Sequence, residues 1–310
     1  MHEQTHTLPS VGDGVFALLQ RAAELGQLRS RQAVLELIEM MDHPSPLVRS
    51  EAARELARVG RTLRQQGRLM AQVGQPRSGI LTAQGVIDDC MARASARSED
   101  WREAWAESLG QWQHEGALPA LTTLLGDCSP RVRAAAAQAL GETQDMSALA
   151  PLRAAAADAD AHVRCSVAYA VGAIGLGEGL DVLDTLRNDP VLLVQCATLQ
   201  ALGSLPGAKT LDWLHAALHD HTPEVRWQSI RSLAKVGGVA SLPHLERLFD
   251  DTTPVCGETV GQAALEAAAL IREREGHLWS QVWQSLYELQ LKLKRRIHRR
   301  SRRLKRFGLF

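Results

Sequence analysis

His215 and His219 stand four residues apart and are followed by Asp220 and His221. Two imidazoles at that spacing on a helix can share a zinc or iron ion. Their neighbours Leu214 and Leu218 fall in core register, however, which places both histidines on the solvated side. No second cluster in the sequence completes a ligand set. The five cysteines (Cys90, Cys128, Cys165, Cys196 and Cys256) are odd in number and contain no C-x-x-C pair, so they outline neither a disulfide framework nor a zinc site. Cys165 and Cys196 are 31 residues apart; on helices packed about 8–10 Å apart they are too distant for a relaxed disulfide. Free thiols, as in a reducing compartment, are expected. An Asp precedes an Arg by six residues at Asp127/Arg133, Asp158/Arg164 and Asp220/Arg226. Such pairs are expected to be structural, each tying an inter-helix turn to its own second helix while the carboxylate accepts from amides at the helix start. Gln195 and Gly257 stand where the arginine would be, which weakens the series there. No catalytic residue, metal or cofactor is expected.

The elements that position these residues follow from a fixed step of 31. Leu118, Leu149, Leu180, Leu211 and Leu242 share one register, and Leu121, Leu152, Leu183, Leu214 and Leu245 another. Asp127, Asp158, Asp189, Asp220 and Asp251 form a third row, and Val132, Val163, Val194 and Val225 a fourth. A period of this length marks stacked repeats, each burying its apolar face against its neighbours. Each unit reads as two helices. Leu118, Leu121, Leu124 and Leu125 make an apolar stripe; Asp127 and Pro130 end it and open the next helix, whose core face is Val132, Ala136, Ala139 and Leu140. Gly175 and Gly237 fit left-handed C-terminal caps. Trp101, Trp105 and Trp112 occupy core slots of one repeat. They are expected to fill extra volume where the irregular stretch 49–100 meets the array; a pocket for a planar ligand is the chemical alternative. Val48, Ala52, Leu56 and Val59 repeat the core face out of phase, and 60–74 reads as an insertion or long helix. Residues 14–25 and 30–41 read as helices with Phe16, Leu19, Leu35 and Ile38 on their apolar faces. The stretch 252–259 lengthens the last inter-helix turn by about four residues, because Val260 lies 35 after Val225.

The segments DCSPRVRAAAAQALGE, DADAHVRCSVAYAVGAIG and DHTPEVRWQSIRSLAKVG share the order Asp, Pro, Val-Arg, Ala and Ala-Leu-Gly in whole or part. This pattern resembles the HEAT family, in particular the short bacterial subtype first named from phycobilisome lyases. The resemblance covers about 86–270 strongly and 30–60 more weakly. It implies an all-α fold: an α-solenoid (α-α superhelix) of stacked HEAT-like hairpins, here with a C-terminal capping helix and a basic tail. The expected organisation is a disordered N-terminus at 1–10 and a solenoid at 11–275, irregular over 61–85 and regular over about 86–250. A C-terminal amphipathic helix and tail at 276–310 complete it. The family is nearly silent on function, since the same repeat serves lyases, hydroxylases, adaptors and scaffolds. Iron hydroxylases of this architecture use several His-Glu pairs at matched positions, whereas His114-Glu115 is the single such pair within this array.

In HEAT arrays the second helices line the concave side. The resemblance therefore places Glu103, Ala134, Cys165, Cys196 and Trp227 in one exposed row and Glu107, Gln138, Tyr169, Gln200 and Arg231 in another. Small, uncharged residues with Tyr169 and Trp227 as anchors suit a protein partner; Glu103, Glu107, Tyr169, Trp227 and Arg231 are the candidate contacts. Charge is divided along the chain. Ten of the 35 Lys and Arg residues fall in 292–306, so residues 1–291 carry 25 basic against 35 acidic groups, a net charge of −10. The ten are Lys292, Lys294, Arg295, Arg296, Arg299, Arg300, Arg302, Arg303, Lys305 and Arg306. They would attract a polyanion: an anionic membrane surface, nucleic acid or an acidic protein. Trp279, Val282, Leu286, Leu289 and Leu293 form the seam of the capping helix ahead of them. No apolar stretch is long enough to span a bilayer and no leader pattern opens the chain. The expected compartment is the cytoplasm, with the tail permitting peripheral contact with the inner membrane. The functional expectation is a non-enzymatic interaction scaffold or adaptor; the alternative, implied by the subtype's name, is a bilin lyase-like enzyme or chaperone, for which Trp101, Trp105, Tyr169 and His162 would be the lining.

Overall fold

A computed structural model describes residues 14–28, 30–73, 82–112, 114–175 and 177–276. The expectations for 1–10, for the seam at 279–293 and for the ten basic tail residues fall outside these. The described residues form an all-α solenoid and divide into two compact units after Leu205.

The first unit opens with α1 (Val15–Leu28), α2 (Arg31–Met40) and the long α3 (Pro46–Val73), with α1 and α2 packed on α3. Ser30 starts α2 by accepting from the amide of Ala33 at 3.1 Å. On α1 the buried face is Leu18, Ala22 and Leu25, whereas Phe16 is 79% exposed; the sequence reading chose the wrong side there, because a two-residue apolar pattern does not fix helical phase. Val48, Ala52, Leu56 and Val59 are buried as expected, and the helix continues past them to Val73.

Four hairpins follow: α4 (Ala83–Ala94) with α5 (Glu99–Gly110), α6 (Ala117–Leu124) with α7 (Pro130–Glu142), α8 (Leu149–Ala155) with α9 (Ala161–Ile174), and α10 (Leu180–Leu186) with α11 (Leu192–Leu202). The second helices stack in series, α5 on α7, α7 on α9 and α9 on α11. Leu121, Leu152 and Leu183 are wholly buried and form the spine. The parallel row is less deep, Leu118 and Leu180 being only half-buried. A fully buried Leu contributes about 1.5–3 kcal/mol, so the two rows are not equivalent. Glycine allows the close approach of the second helices. A Cβ on Gly141 would lie 2.6 Å from Ala170 Cα, and one on Gly172 2.9 Å from Ala201 Cα.

Trp101, Trp105 and Trp112 are fully buried. Trp101 lies 6.0 Å from Trp105 in a stacked pair, and Trp105 meets Trp112 edge-on at 5.6 Å. Trp101 Nε1 donates to Ile38 O at 2.9 Å and Trp112 Nε1 to Ser108 Oγ at 3.1 Å. Trp112 lies so close to Gly60 on α3 that a Cβ there would be 2.2 Å from the ring. The three indoles thus fill the space between the irregular first helices and the regular array. Trp101 and Trp105 are interior residues, while His162 and Tyr169 are exposed.

The second unit contains α12 (Ala208–Ala217), α13 (Pro223–Val236), α14 (Leu242–Glu246), a short antiparallel hairpin and α15 (260–276). Leu214 and Leu245 are its spine residues. The lengthened turn before α15 is a β-hairpin pairing β1 (Pro254–Val255) with β2 (Glu258–Thr259). Its tip, Cys256 and Gly257, takes positive φ of 51° and 90°, as a type I′ turn requires. Gly175 is a left-handed cap with φ 75°, but Gly237 is not, having φ −71°. Glycine is needed at 237 for space: a Cβ would sit 2.6 Å from Leu233 O.

Candidate partner-binding site

The exposed side of the second helices is held in place by an arginine–aspartate ladder, and the ladder differs from the one expected. Each arginine does touch its own repeat, but through the aspartate's backbone: Arg133 Nη1 donates to Asp127 O at 2.9 Å and Arg164 Nη1 to Asp158 O at 2.8 Å. The carboxylate it pairs with belongs to the following repeat. Arg102 binds Asp127, Arg133 binds Asp158 and Arg164 binds Asp189, each through Nε and Nη2 at 2.7–2.9 Å. In the second unit Arg226 pairs with Asp251 at the same spacing, but its Nε and Nη2 both donate to Oδ2, at 3.2 and 2.9 Å. A spacing of six was visible in sequence, but the spacing of 25 across the repeat boundary carries the ion pair. The aspartate also accepts from the amide two residues on, as from Ser129, Asp160 and Val191. Hydrogen bonding from Arg133 and Arg164 holds Asp158 and Asp189 below the usual carboxylate range. His43 takes the aspartate's place in the earlier hairpin: its Nδ1 accepts from Ser45 N and its carbonyl from Arg49. Gln195 keeps only the backbone contact, Nε2 to Asp189 O at 2.7 Å.

In the first unit the candidate residues Glu103 and Glu107 lie on α5, and Tyr169 lies on α9. Glu103 is half-buried and pairs with Arg131, which also reaches Asp100 at 3.1 Å. Glu107 is exposed; burial of its carboxyl and the nearby Glu103 and Glu142 raise it above the usual carboxylate range. Tyr169 is 42% exposed. Partial burial, then Cys165 and Cys196, pushes its phenol up, so it remains a neutral hydroxyl beside two thiols. Between these residues Ala134 is half-buried and Gln138 exposed, and Gln200 is exposed on α11.

The sequence reading missed Val191, Leu192 and Leu193, which are 37%, 38% and 50% exposed at the start of α11. A signal was present: the repeats that carry Ser-Pro-Arg at 129–131 and Thr-Pro-Glu at 222–224 have Val-Leu-Leu here. Aliphatic residues replace the polar entrance to a helix without being buried. Leu192 and Leu193 precede Cys196 by one helical turn, on the helix whose Cys196 neighbours Tyr169.

In the second unit, Trp227 is half-buried rather than open. Its Nε1 donates to Glu258 Oε1 at 2.7 Å, and the Arg231 guanidinium lies 5.5 Å from the ring centroid. The hairpin thus supplies the residue that fixes Trp227. His219 is exposed as expected, but His215 is half-buried and stacked on His244. Among the described residues, no group of three or more His, Cys, Asp or Glu is arranged to hold a metal ion. None of the five cysteines forms a disulfide, and burial pushes the Cys90 thiol up to about 12. No helix among the described residues is long and apolar enough to cross a membrane.

The family comparison agrees with this architecture. A family profile described as HEAT repeats matches residues 87–172, 124–192 and 180–269. No curated protein sequence matches the chain. Solved structures similar to it include a complex of CpcE and CpcF of phycocyanin lyase from Nostoc sp. PCC7120, 19% identical, with 77% of this chain and 94% of that one covered and a TM-score of 0.41. The YIBA protein of E. coli is 17% identical over 85% of this chain and 99% of its own, with a TM-score of 0.48. Human deoxyhypusine hydroxylase is 23% identical over 63% and 81%, with a TM-score of 0.36. With stacked hairpins on a leucine spine and a profile match spanning more than half its residues, the chain belongs to the HEAT repeat family.

Proposed function

We propose that this protein is a non-enzymatic scaffold whose second helices hold a protein partner and whose basic tail contacts a polyanion. The observation that carries the reading is Tyr169, 42% exposed on a face of small and uncharged residues, with exposed Leu192 and Leu193 on the next second helix. Large apolar and aromatic side chains left open beside a polar rim are typical of contact surfaces. Glu103 and Glu107 supply the polar rim, and Trp227 with Arg231 forms a second, separately placed contact. Residues 292–306 supply the electrostatic component. Each Lys or Arg near an anionic bilayer contributes on the order of 1 kcal/mol, and the apolar Phe307, Leu309 and Phe310 favour a membrane surface over nucleic acid.

Affinity capture from the source cell tests the face: Tyr169→Ala and Trp227→Ala are expected to lose a partner that the wild type retains, and full retention by both removes the proposal. Deleting 292–310 tests the tail: binding to phosphatidylserine vesicles is expected to disappear, and unchanged binding and salt response would exclude a role for it.

A further inference from the structure

The histidines of the second unit form a device that the scaffold role does not require. His215 on α12 and His244 on α14 stack face to face, with ring centroids 4.1 Å apart and planes 7° from parallel. His215 Nε2 is 2.9 Å from the hydroxyl of Ser241, itself fully buried just ahead of α14. His244 Nδ1 is buried with no hydrogen-bond partner. This arrangement suits a neutral His215. A proton on His215 would place a cation against the face of the neighbouring His244 ring, in a half-buried site.

The surroundings offer little to offset that charge. Burial, then His244, lowers the His215 pKa below the usual imidazole value, and Asp212 on the same helix opposes them. Several other charged groups of the packed elements are engaged elsewhere. Arg226 of α13 is on Asp251, Arg231 stacks with Trp227, and Glu246 of α14 pairs with Arg272 of α15. Arg274 of α15 donates to the carbonyls of Ala234, Lys235 and Gly237. Ser229, which α13 sends toward α12, is a hydroxyl donating to Leu214 O.

We infer that the His215–His244 stack is a proton-sensitive clasp, holding α14 on α12 while His215 is neutral and releasing it on mild acidification. The sign follows from linkage. An imidazole in the opened state titrates near about 6.5, and the clasped His215 resists protonation. The opened state therefore binds more protons as pH falls below that value. Clasp stability is full above about pH 6.5 and is lost as pH falls from there toward the lower folded value.

The test uses the full-length protein. Ring proton resonances of His215, assigned by loss in His215→Gln, are followed by NMR against pH. The expected midpoint lies below the unperturbed imidazole value of about 6.5, and an equal or higher midpoint overturns the clasp. In parallel, amide exchange is measured at pH 7.5 and 5.5 and corrected for intrinsic rate. Protection in α12 and α14 should fall more than in α8 and α9. His244→Phe, which keeps a flat ring without a second proton site, should reduce that loss. Equal losses in wild type and His244→Phe would also overturn the proposal, and should the variant not fold, the wild-type titration decides.

Discussion

Arg164 grips two successive repeats at once. Its Nη1 holds the carbonyl of Asp158 at 2.8 Å, while Nε and Nη2 fork onto the carboxylate of Asp189 at 2.7 and 2.9 Å. The side chain is mostly buried, at 12% exposure, and its partner at 7%. Bidentate, partly desolvated pairs of this kind contribute more than open surface pairs.

Arg164→Gln is therefore expected to destabilise the first unit by about 1–3 kcal/mol. Glutamine preserves the backbone contact, as Gln195 does naturally, so the loss reports the fork to Asp189. Urea unfolding of the single variants and of Arg164→Gln/Asp189→Asn gives the coupling energy; a coupling near zero would mean that the ladder is ornamental.

The same ladder is expected to make stability fall in acid. Asp158 and Asp189 have lowered pKa values because arginine hydrogen-bonds to their charged forms. Their contribution is complete above the unfolded aspartate value of about 3.9 and disappears as pH falls through the lower folded values. Stability measured between pH 6 and pH 2.5 should fall in this window, and Arg133→Gln with Arg164→Gln should flatten the fall. An unchanged slope would assign the acid sensitivity to other groups.

Leu183→Ala should cost about 2–5 kcal/mol, as a fully buried spine position. Leu180→Ala, half-buried in the parallel row, should cost clearly less. Thermal or urea midpoints of the two variants check this, and equal losses would contradict the assignment of the spine.

Gly141→Ala should cost about 1–3 kcal/mol, because the added methyl meets the backbone of Ala170. Gly177→Ala, where nothing lies within 4 Å of the new Cβ, should be close to neutral. A small effect at Gly141 would mean that α7 and α9 separate easily.

The repeat unit was legible because a period of 31 is imposed by one packing problem solved again and again. Val132, Val163 and Val194 are wholly buried, as their common register required. What sequence did not yield is what depends on the neighbouring repeat. The Asp158 partner of Arg133 lies 25 residues away on another hairpin, and spacing within one motif pointed instead to Asp127. Its own helix alone puts His215 on the solvated side, whereas the ring that covers it comes from α14. Trp227 looks like an open anchor in its row because the hairpin carrying Glu258 breaks the period. Phase failed on α1, where no repeat fixes the register of Phe16. On the candidate face, Tyr169 was found from its row, but Leu192 and Leu193 look like ordinary core letters until their exposure is known.

The most direct test of a partner held on the second helices is site-specific photo-crosslinking in the source cell. A photoreactive amino acid is placed at Gln138 or Tyr169 on that face, and at Arg153 on the exposed side of the first helix α8. The scaffold account predicts a discrete crosslinked protein from positions 138 and 169 and none from 153; the same product from 153, or none from 138 and 169, would contradict it.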